Sequence, residues 1–279
     1  MINILKDIEQ VPEFGKLKSY LIDSGPFAIA VSGGVDSMTL AHFAHQLNGQ
    51  TQMFHARSPA VPEAAFRRVE DHANRHGWHL TVLDAGEMQD QNYLANPKNR
   101  CYFCKSNLYT TLTRVATLPI ASGTNYDDLS DYRPGLIAAS ENQVHHPYVE
   151  ATMPKSLVRE LASKLGLDDL KDLPAAPCLS SRVTTGIAID QSVLRLIDQV
   201  ESMLRQQWGA EIENIRCRIR PEEIAIEIDQ AAINPTSTKQ IKAQVKPLLA
   251  TSTFNQNIQI TIAPYKMGSA FLLESINIE

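Results

Sequence analysis

The stretch Ala30-Val-Ser-Gly-Gly-Val-Asp-Ser37 decides the fold that this sequence predicts. It overlaps a short, almost continuous apolar run, Pro26 to Val31, which is typical of a strand covered on both faces. The apolar positions from Ser37 to Leu47 then recur with the 3.6-residue period of a helix. The sequence therefore predicts a strand, a tight turn made by two glycines, and a helix that begins at once.

The same order of elements recurs along the first two thirds of the chain. Further strands are predicted at 51–56, 78–83 and 118–123, and further helices at 62–76, 108–116 and 155–165. Strands that alternate with helices in this way indicate a parallel sheet with crossover helices on its faces. We therefore predict an α/β fold.

The C-terminal part has a different pattern. A long amphipathic helix is predicted at 190–208, a hairpin at 212–228, a helix at 238–249 and a last strand at 258–262. This order describes a small α+β unit, and an irregular stretch with two prolines at 168–186 lies before it. The predicted domains are residues 1–182 and residues 183–279.

Length and composition limit the functional classes. With 279 residues, of which 43% are hydrophobic and 20% charged, the chain can form two domains of ordinary size. A net charge of −5 provides no overall basic field for nucleic acid. There is no signal-peptide pattern and no apolar run long enough to span a bilayer, and four cysteines are few for a disulfide framework. We expect a cytoplasmic protein that binds neither nucleic acid nor membranes.

The glycine turn predicts a phosphate-binding site. Successive backbone N–H groups point inward in such a turn, and the N-terminus of the following helix adds positive potential. Ser32 and Ser37 add hydroxyl donors, and Asp36 is best explained as a ligand of a Mg²⁺ that bridges phosphates. Neither the Walker pattern nor GxGxxG is present. A glycine turn between strand and helix is also common without any ligand, so the turn alone leaves the function open.

Two further strings accompany SGGVDS. Asp131-Tyr-Arg-Pro-Gly135 follows the strand predicted to end near Ser122, and Cys178-Leu-Ser-Ser-Arg182 lies in the irregular stretch. SGGVDS resembles the PP-loop of the ATP pyrophosphatases, and the three strings together resemble the LarE family of ATP-dependent sulfur transferases over most of the chain. The resemblance implies the PP-loop, adenine nucleotide α-hydrolase-like fold. It also implies an enzyme of nickel-pincer nucleotide biosynthesis that adenylylates a carboxylate of a pyridinium mononucleotide, releases pyrophosphate and AMP, and leaves a thiocarboxylate.

The resemblance assigns roles to residues of this chain. The residues that would hold the ATP phosphates and Mg²⁺ are Ser32, Gly33, Gly34, Asp36 and Ser37. Ser58 and Gly123 follow predicted strands and would lie near the nucleoside, where open α/β sheets bind ligands. The residues that would line the reaction site are Asp131, Arg133, Ser181 and Arg182, with Cys178 as the sulfur-handling cysteine. The resemblance further implies a homo-oligomer, a mononucleotide substrate and a sulfide source.

Each of these residues also has a simpler interpretation. Pro134 and Gly135 suit a plain turn, and Ser180 and Ser181 suit helix caps. A lone arginine such as Arg182 is more often a surface ion-pair partner. Only the combination of the strings favours function.

The predicted strand Ile215 to Arg220 alternates strictly between apolar side chains and arginines. Cys217 shares the apolar face and is predicted to be a buried small side chain. Arg216, Arg218 and Arg220 share the other face, where like charges need anionic partners. Glutamates at 222, 223 and 227 could neutralise them, or Arg216 and Arg218 could bind the phosphate or carboxylates of the substrate. The sequence leaves both interpretations open.

Cys101, Cys104 and Cys178 form the last candidate site. Some members of the family carry only the cysteine equivalent to Cys178 and give up its sulfur, and this chain differs by adding the Cys101–Cys104 pair. Three thiolates bind a [4Fe–4S] cluster at three irons and leave the fourth iron open. Beside ATP and Mg²⁺ we therefore expect a [4Fe–4S] cluster as cofactor, with incoming sulfide bound at the open iron.

Other interpretations of the cysteines and of the whole chain remain. His145 or His146 could complete a zinc site, or the CxxC pair could be a redox disulfide that resolves a persulfide on Cys178. Cys178 could also be a sacrificial sulfur donor. The chain itself could be a PP-loop amide ligase, a tRNA-thiolating enzyme or a nucleotide-binding module without catalysis.

Overall fold

The computed structural model describes residues 10–130, 132–174, 177–250 and 258–266. The chain folds into two compact units, the first made of residues 1–87 and 101–176 and the second of residues 88–100 and 177–279. The predicted domain limits, 1–182 and 183–279, stay a prediction. The compact units divide the chain near residue 177 and assign residues 88–100 to the second unit.

The elements follow one another in the order that the sequence predicts, with short helices added between them. The helices are α1 (Pro12–Asp23), α2 (Val35–Leu47), α3 (Glu63–His76), α4 (Gln91–Leu94), α5 (Arg100–Val115), α6 (Pro134–Glu141), α7 (Pro147–Glu150), α8 (Lys155–Lys164), α9 (Asp168–Lys171), α10 (Gln191–Trp208) and α11 (Pro235–Ala250). The strands are β1 (Ala28–Ala30), β2 (Gln52–Ala56), β3 (His79–Leu83), β4 (Ile120–Ser122), β5 (Ile215–Ile219), β6 (Glu223–Ile228) and β7 (Gln259–Pro264). Short 3₁₀ turns lie at Glu87–Gln89, Tyr126–Ser130, Leu179–Arg182 and Gln230–Ala232.

The first unit is built on a four-stranded parallel sheet in the order β3-β2-β1-β4. At its centre, Ala30 of β1 lies opposite Phe54 on β2 and Ser122 on β4. Because the strands are parallel, their carboxyl ends meet at one edge of the sheet. The α/β prediction is confirmed, with helices flanking a parallel sheet.

Both faces of this sheet are covered, which explains the continuous apolar run in β1. Successive residues of a strand point to opposite faces, and Ile29 joins one apolar core while Ala28 joins another. The first core is filled by side chains of α1, α2 and α8, among them Phe14, Leu17, Met38, Phe43 and Leu161. The second is filled by side chains of α5 and α6, among them Leu108, Leu112 and Ala138.

The second unit contains the predicted hairpin and the predicted last strand. β5 and β6 are antiparallel, with Ile215 opposite Ile228, and β7 runs parallel to β6. The amphipathic helix α10 begins after Asp190, whose carboxylate accepts hydrogen bonds from the backbone N–H groups of Ser192 (2.8 Å) and Val193 (3.2 Å). Its apolar stripe is buried, as the periodicity predicted; the buried side chains include Leu196, Ile197, Val200 and Leu204.

Residues 88–100, called the strap below, belong to the second unit. The other residues of that unit begin at 177, at least 77 positions further along the chain. Asn96 is fully buried with φ of 51°, and its Nδ2 donates to the carbonyl oxygens of Thr184 and Ile187, each at 2.9 Å. The backbone N–H of Gly186 donates to the Asn96 carbonyl at 3.0 Å. The sequence patterns did not predict this arrangement.

Within the part of the chain that the structure describes, no helix combines the length and apolarity needed to cross a membrane.

Candidate functional site

The glycine turn lies at the carboxyl end of β1, as predicted. Gly33 has φ of 79°, and a Cβ atom added to it would come within 2.5 Å of the Ala65 carbonyl oxygen on α3. Only glycine fits this position without strain or displacement. Helix α2 begins directly afterwards, and its N-cap, Gly34, supplies no capping side chain. A tight turn therefore leads straight into a helix N-terminus, which is the geometry that favours anions.

The two predicted serines shape this turn. The Ser37 hydroxyl oxygen accepts a hydrogen bond from the backbone N–H of Ser32 (3.0 Å) and lies 3.1 Å from the Ser32 hydroxyl. The backbone N–H of Gly34 donates to the Ser32 hydroxyl at 3.4 Å. The two hydroxyl groups thus link the beginning and the end of residues 32–37, which are called the glycine loop below.

The ends of the neighbouring strands lie at the same edge. A Cβ atom on Gly123, which follows β4, would lie 2.6 Å from the backbone nitrogen of Ser37, so the backbone at 123 contacts the glycine loop directly. Ser58 follows β2, and its hydroxyl accepts from the backbone N–H of Ala60 at 3.2 Å. The parallel register therefore brings the predicted phosphate and nucleoside residues to one edge of the sheet.

The carboxylate of Asp36 is held by residues that the sequence did not single out. Lys155, the first residue of α8, forms an ion pair with Asp36 Oδ2, and Asn125 Nδ2 donates to Oδ1 at 3.3 Å. The buried hydroxyl of Tyr148 donates to the Asp36 backbone carbonyl at 3.1 Å, and burial, reinforced by the charge of Asp36, raises the pKa of this tyrosine. Asn125 could have been found because it follows β4 closely, but nothing local marks Lys155.

Arg68 is a second contact that the sequence did not indicate. Its Nη1 donates to the carbonyl oxygen of Gly33 at 2.7 Å, so helix α3 holds the backbone of the glycine turn. A basic residue on the polar face of an amphipathic helix is ordinary, and only the folded structure distinguishes Arg68 from its neighbour Arg67, which is exposed and pairs with Glu63.

The DYRPG string packs beside the cysteine pair. Gly135 lies at the start of α6, and a Cβ atom there would be 2.9 Å from Lys105 Cγ and 3.6 Å from the Cys101 carbonyl oxygen on α5. Arg133 forms an ion pair with Asp128 at 2.7 Å and is about half exposed. Asp131 lies outside the described residues. The structure thus brings the DYRPG string next to the cysteine-bearing helix inside the first unit.

Cys101 and Cys104 lie in the first two turns of α5, which begins eight residues before the predicted helix start at 108. Because they are three positions apart on a helix, their side chains share one face. Cys101 is exposed and Cys104 is half-buried. Cys178, also half-buried, precedes the 3₁₀ turn of the second unit. Among the described residues, no group of three or more His, Cys, Asp or Glu side chains is arranged to hold a metal ion, so the cluster stays a prediction.

The histidines of the alternative zinc site have other hydrogen-bond partners. His145 Nδ1 lies 2.8 Å from the Tyr20 hydroxyl, and His146 Nδ1 lies 2.9 Å from the Ser122 hydroxyl. Burial and, to a smaller extent, His145 lower the pKa of His146. Both rings therefore contribute to packing at the end of β4.

Arg182 lies at the centre of the second unit and is not a surface residue. It is 3% exposed, and its Nε and Nη2 donate to both carboxylate oxygens of Glu201, at 2.9 and 3.1 Å. Its Nη1 donates to the Ser181 hydroxyl at 2.9 Å and to the Cys178 carbonyl oxygen at 3.4 Å. Burial opposes ionisation of Glu201, but hydrogen bonds and charge from Arg182 outweigh it and lower the pKa of this carboxyl group. The CLSSR string is thus tied together by one buried ion pair.

The arginines of β5 have different surroundings. Arg218 Nε donates to Glu227 at 2.7 Å and its Nη1 to the Ser181 carbonyl oxygen at 3.1 Å, and Arg220 pairs with the same glutamate at 3.2 Å. Arg218 and Arg220 are therefore neutralised by a glutamate, the first of the two interpretations. The guanidinium of Arg216 lies 5.4 Å from the ring centroid of Tyr265.

Arg216 lies in a positively charged environment. Burial lowers its pKa, and the nearby charges of Arg182 and Arg205 act in the same direction, opposed by Glu201. Three guanidinium groups around a single carboxylate suit an anionic ligand. Cys217, on the opposite face of the strand, is fully buried as predicted, and burial raises the pKa of its thiol.

The fold defines an α/β protein in which a glycine turn leads into a helix N-terminus, with a second unit that carries buried arginines and Cys178. No family model matches the chain. An uncharacterized protein of Synechocystis is 39% identical over 207 residues, which is 70% of this chain and 77% of that protein. An uncharacterized protein of Methanocaldococcus jannaschii is 28% identical over 181 residues, 63% of this chain and 68% of that protein. The chain belongs to the family of the Synechocystis protein.

A more distant relative has a named activity. The pyridinium-3,5-bisthiocarboxylic acid mononucleotide synthase of Lactiplantibacillus plantarum is 26% identical over 223 residues, which is 78% of this chain and 79% of that protein. This similarity supports the LarE-like family that the three strings suggested.

Proposed function

We propose that this chain is an ATP-dependent sulfur transferase of the LarE type that converts a carboxylate of a pyridinium mononucleotide to a thiocarboxylate. The observation that carries the proposal is the glycine loop, since its tight turn, open helix N-terminus and acidic side chain suit a magnesium-bound triphosphate. The name of the Lactiplantibacillus relative supports the substrate class and points to nickel-pincer cofactor biosynthesis.

The residues at the sheet edge fit ATP. Gly33 and Gly34 carry no side chain, so phosphate oxygens can approach the backbone N–H groups. Asp36 already has a cationic partner in Lys155, and a Mg²⁺ ion bound with ATP would take over that role. Lys155 would then be released toward the phosphates. On this proposal the first unit has the PP-loop fold.

The proposed reaction has two displacements. A carboxylate oxygen of the substrate attacks the α-phosphorus of ATP, and the bond to pyrophosphate breaks. Sulfide then attacks the acyl carbon, the carbon–oxygen bond to AMP breaks, and the thiocarboxylate remains. The glycine loop and Lys155 stabilise the charge on the departing pyrophosphate. Arg182 holds Ser181 and the backbone of Cys178 in place, and Arg216 binds an anionic group of the substrate.

Cys101, Cys104 and Cys178 are the proposed ligands of a [4Fe–4S] cluster. Their chemistry fits, since all three thiols lie outside the apolar cores, whereas Cys217 is buried in one. A cluster held by three thiolates has one iron without a protein ligand, which would bind sulfide. Arg182 holds the backbone at this cysteine, since its Nη1 donates to the Cys178 carbonyl oxygen at 3.4 Å.

Anaerobic purification followed by iron, zinc and sulfide analysis tests the cluster. We expect four irons per chain and a broad visible absorbance, both lost in Cys101→Ala, Cys104→Ala and Cys178→Ala. Cys217→Ala is the matched control and should keep its iron. Stoichiometric zinc without iron would contradict the cluster and leave the transferase proposal to the turnover assay.

The turnover assay compares nucleophiles. With ATP and a pyridinium carboxylate mononucleotide, release of AMP and pyrophosphate should depend on sulfide and not on ammonium, which separates the transferase from an amide ligase. If Cys178 is sacrificial, mass spectrometry will show loss of one H₂S from this residue after a single turnover. Salt-sensitive tRNA binding would favour a tRNA-thiolating enzyme instead. The predicted homo-oligomer is measured by light scattering.

A further inference from the structure

Four histidines lie between α2 and α3, and none has a role in the proposed reaction. They are half of the eight histidines in the chain, and the histidine cluster consists of His42 and His45 on α2 and His72 and His76 on α3. The ring centroids of His42 and His76 are 4.4 Å apart, and those of His72 and His76 are 5.4 Å apart. Trp78 packs against the same group, with its centroid 5.9 Å from that of His72.

Each of these imidazoles has a buried nitrogen without a hydrogen-bond partner. The nitrogens are Nδ1 of His42, His45 and His72 and Nε2 of His76. His72 Nε2 donates to Asp169 Oδ2 at 2.8 Å, and the exposed amide of Gln46 donates to His42 Nε2 at 2.8 Å. These nitrogens do not form a metal site, because no three metal-binding side chains of the described residues are suitably arranged. A neutral imidazole tolerates this environment better than an imidazolium, whose two N–H groups both require acceptors.

The surroundings disfavour a positive charge on the cluster. Burial lowers the pKa of His42 to about 4, with smaller contributions from His76, His72 and His45. Burial likewise lowers the pKa of His45 and His76. The neighbouring charged or titratable groups are His79, which acts on His45, and Arg75 and Asp169, which act on His76. Asp169 favours protonation of His76, and a hydrogen bond with the backbone of His76 favours protonation of His45, but burial outweighs both.

Both helices that carry the cluster also hold the glycine loop. α2 begins at Val35 inside the loop, and His42 follows two helical turns later. α3 contributes Arg68, which donates to the Gly33 carbonyl oxygen, and Ala65, which packs against Gly33. A separation of α2 from α3 would therefore remove the contacts of Arg68 and Ala65 with the glycine turn.

We propose that the histidine cluster is an acid-sensitive clasp that joins α2 to α3 and thereby controls the order of the glycine loop. When His42, His45 and His76 are neutral, the two helices pack and the glycine loop keeps its shape. When they are protonated, the helices separate and the loop loses its contacts with Arg68 and Ala65. This inference concerns the unliganded chain and goes beyond the proposed function.

The direction of the pH effect follows from the lowered pKa values. An exposed histidine titrates near 6.5, so the open form takes up protons at a higher pH than the closed form. The contribution of the cluster to the stability of the closed form is complete above about pH 6.5, the value of an exposed histidine. It is lost as the pH falls toward the pKa of His42, about 4. Over this range the ratio of closed to open forms should decrease on the order of a hundredfold through the protonation of His42 alone.

Hydrogen exchange of the full chain without nucleotide tests the clasp, so the result does not depend on the proposed function. Exchange in residues 32–37 is measured at about pH 7.5 and about pH 5, with the intrinsic rate change divided out. Wild type should lose protection in the glycine loop at the lower pH. His42→Leu, which removes the buried imidazole at similar volume, should keep it. His79→Gln, the matched control, removes an exposed histidine and should behave as wild type.

Two results would overturn the proposal. One is a His42→Leu chain that loses loop protection at low pH as wild type does. The other is a wild-type chain whose loop protection does not change between the two pH values. If His42→Leu does not fold at neutral pH, His76→Gln on the opposite helix replaces it, with the same outcomes deciding the question.

Discussion

The pairing of Asp36 with Lys155 shows how a single side chain can be overlooked in sequence and decisive in structure. The two residues are 119 positions apart, and both are partly exposed at the edge of the sheet. The lysine neutralises an acidic residue that is proposed to bind Mg²⁺. On that proposal, Mg²⁺ would replace the lysine at Asp36 and leave the lysine free to contact the phosphates.

We predict that Lys155→Met lowers the rate of AMP formation by about 10²- to 10³-fold, the usual cost of removing one group that stabilises transition-state charge. Folding stability should change little, because the ion pair is partly exposed to solvent. Lys164→Met on the same helix removes a surface pair with Glu160 and is the control. A Lys155→Met enzyme with wild-type turnover would exclude Lys155 from the reaction.

Gly33 provides a second prediction at the scale of one residue. Gly33→Ala should destabilise the chain by about 2–4 kcal/mol, since it adds a clash with the Ala65 carbonyl oxygen to the strain of a positive φ. Gly25→Ala is a matched control, because Gly25 has φ of 78° with no atom within 4 Å of an added Cβ. Urea unfolding of the two variants isolates the clash. Equal loss of stability in both would show that α3 moves away at little cost.

At the scale of elements, Glu201 joins three parts of the second unit. It projects from α10, receives two hydrogen bonds from Arg182 in the 3₁₀ turn, and accepts a third from the backbone N–H of Cys217 on β5 at 3.0 Å. Because Glu201 and Arg182 are both buried, the loss of one charge leaves the other uncompensated.

We predict that Glu201→Gln destabilises the chain by about 3–5 kcal/mol, the cost of breaking a buried ion pair. Because the pKa of Glu201 is lowered in the folded chain, its ionised form stabilises the fold. This stabilisation is present at pH values above the ordinary glutamate pKa and is lost as the pH falls through the lowered pKa. Glu160→Gln, which removes an exposed pair, should change stability by less than about 1 kcal/mol. A loss of similar size in both variants, measured by urea unfolding, would contradict a central role for Glu201.

At the scale of the whole molecule, the strap makes the two compact units interleave along the chain. The chain leaves the first unit at residue 88, returns to it at residue 101, and leaves it again at residue 177. The link rests on Asn96, whose amide donates to carbonyl oxygens 88 and 91 positions further along the chain. The second unit therefore cannot complete its hydrogen bonds from its C-terminal residues alone.

We predict that Asn96→Ala destabilises the second unit by about 2–4 kcal/mol, because it leaves buried carbonyl groups unsatisfied and places alanine at a positive φ. The two tryptophans, Trp78 and Trp208, lie one in each unit and can report on them separately by fluorescence. Asn92→Ala, an exposed position in the same strap, is the control. If the Trp208 transition does not shift in Asn96→Ala, the strap contributes nothing to the second unit.

Several features could be predicted from sequence because they depend on short-range order. The strand, glycine turn and helix around residue 33 follow from periodicity and from the conformational freedom of glycine, and both act over a few residues. The alternation of strands with helices along the sequence was enough to predict the parallel sheet. The pattern at 212–228 was enough to predict the hairpin. The cysteine pair was found as a motif, but its place at the start of α5 was missed, because the helix begins before its apolar pattern does.

The sequence by itself determined the order of elements, the α/β class, the burial of Cys217 and the composition of the glycine loop. Only the tertiary structure decided what surrounds them: Lys155 at Asp36, Arg68 at Gly33, Glu201 at Arg182, and the strap in the second unit. The physical reason is distance along the chain. Periodicity and turn chemistry are properties of neighbouring residues, whereas a buried ion pair or an amide bridging to distant carbonyl groups exists only after folding brings remote residues together.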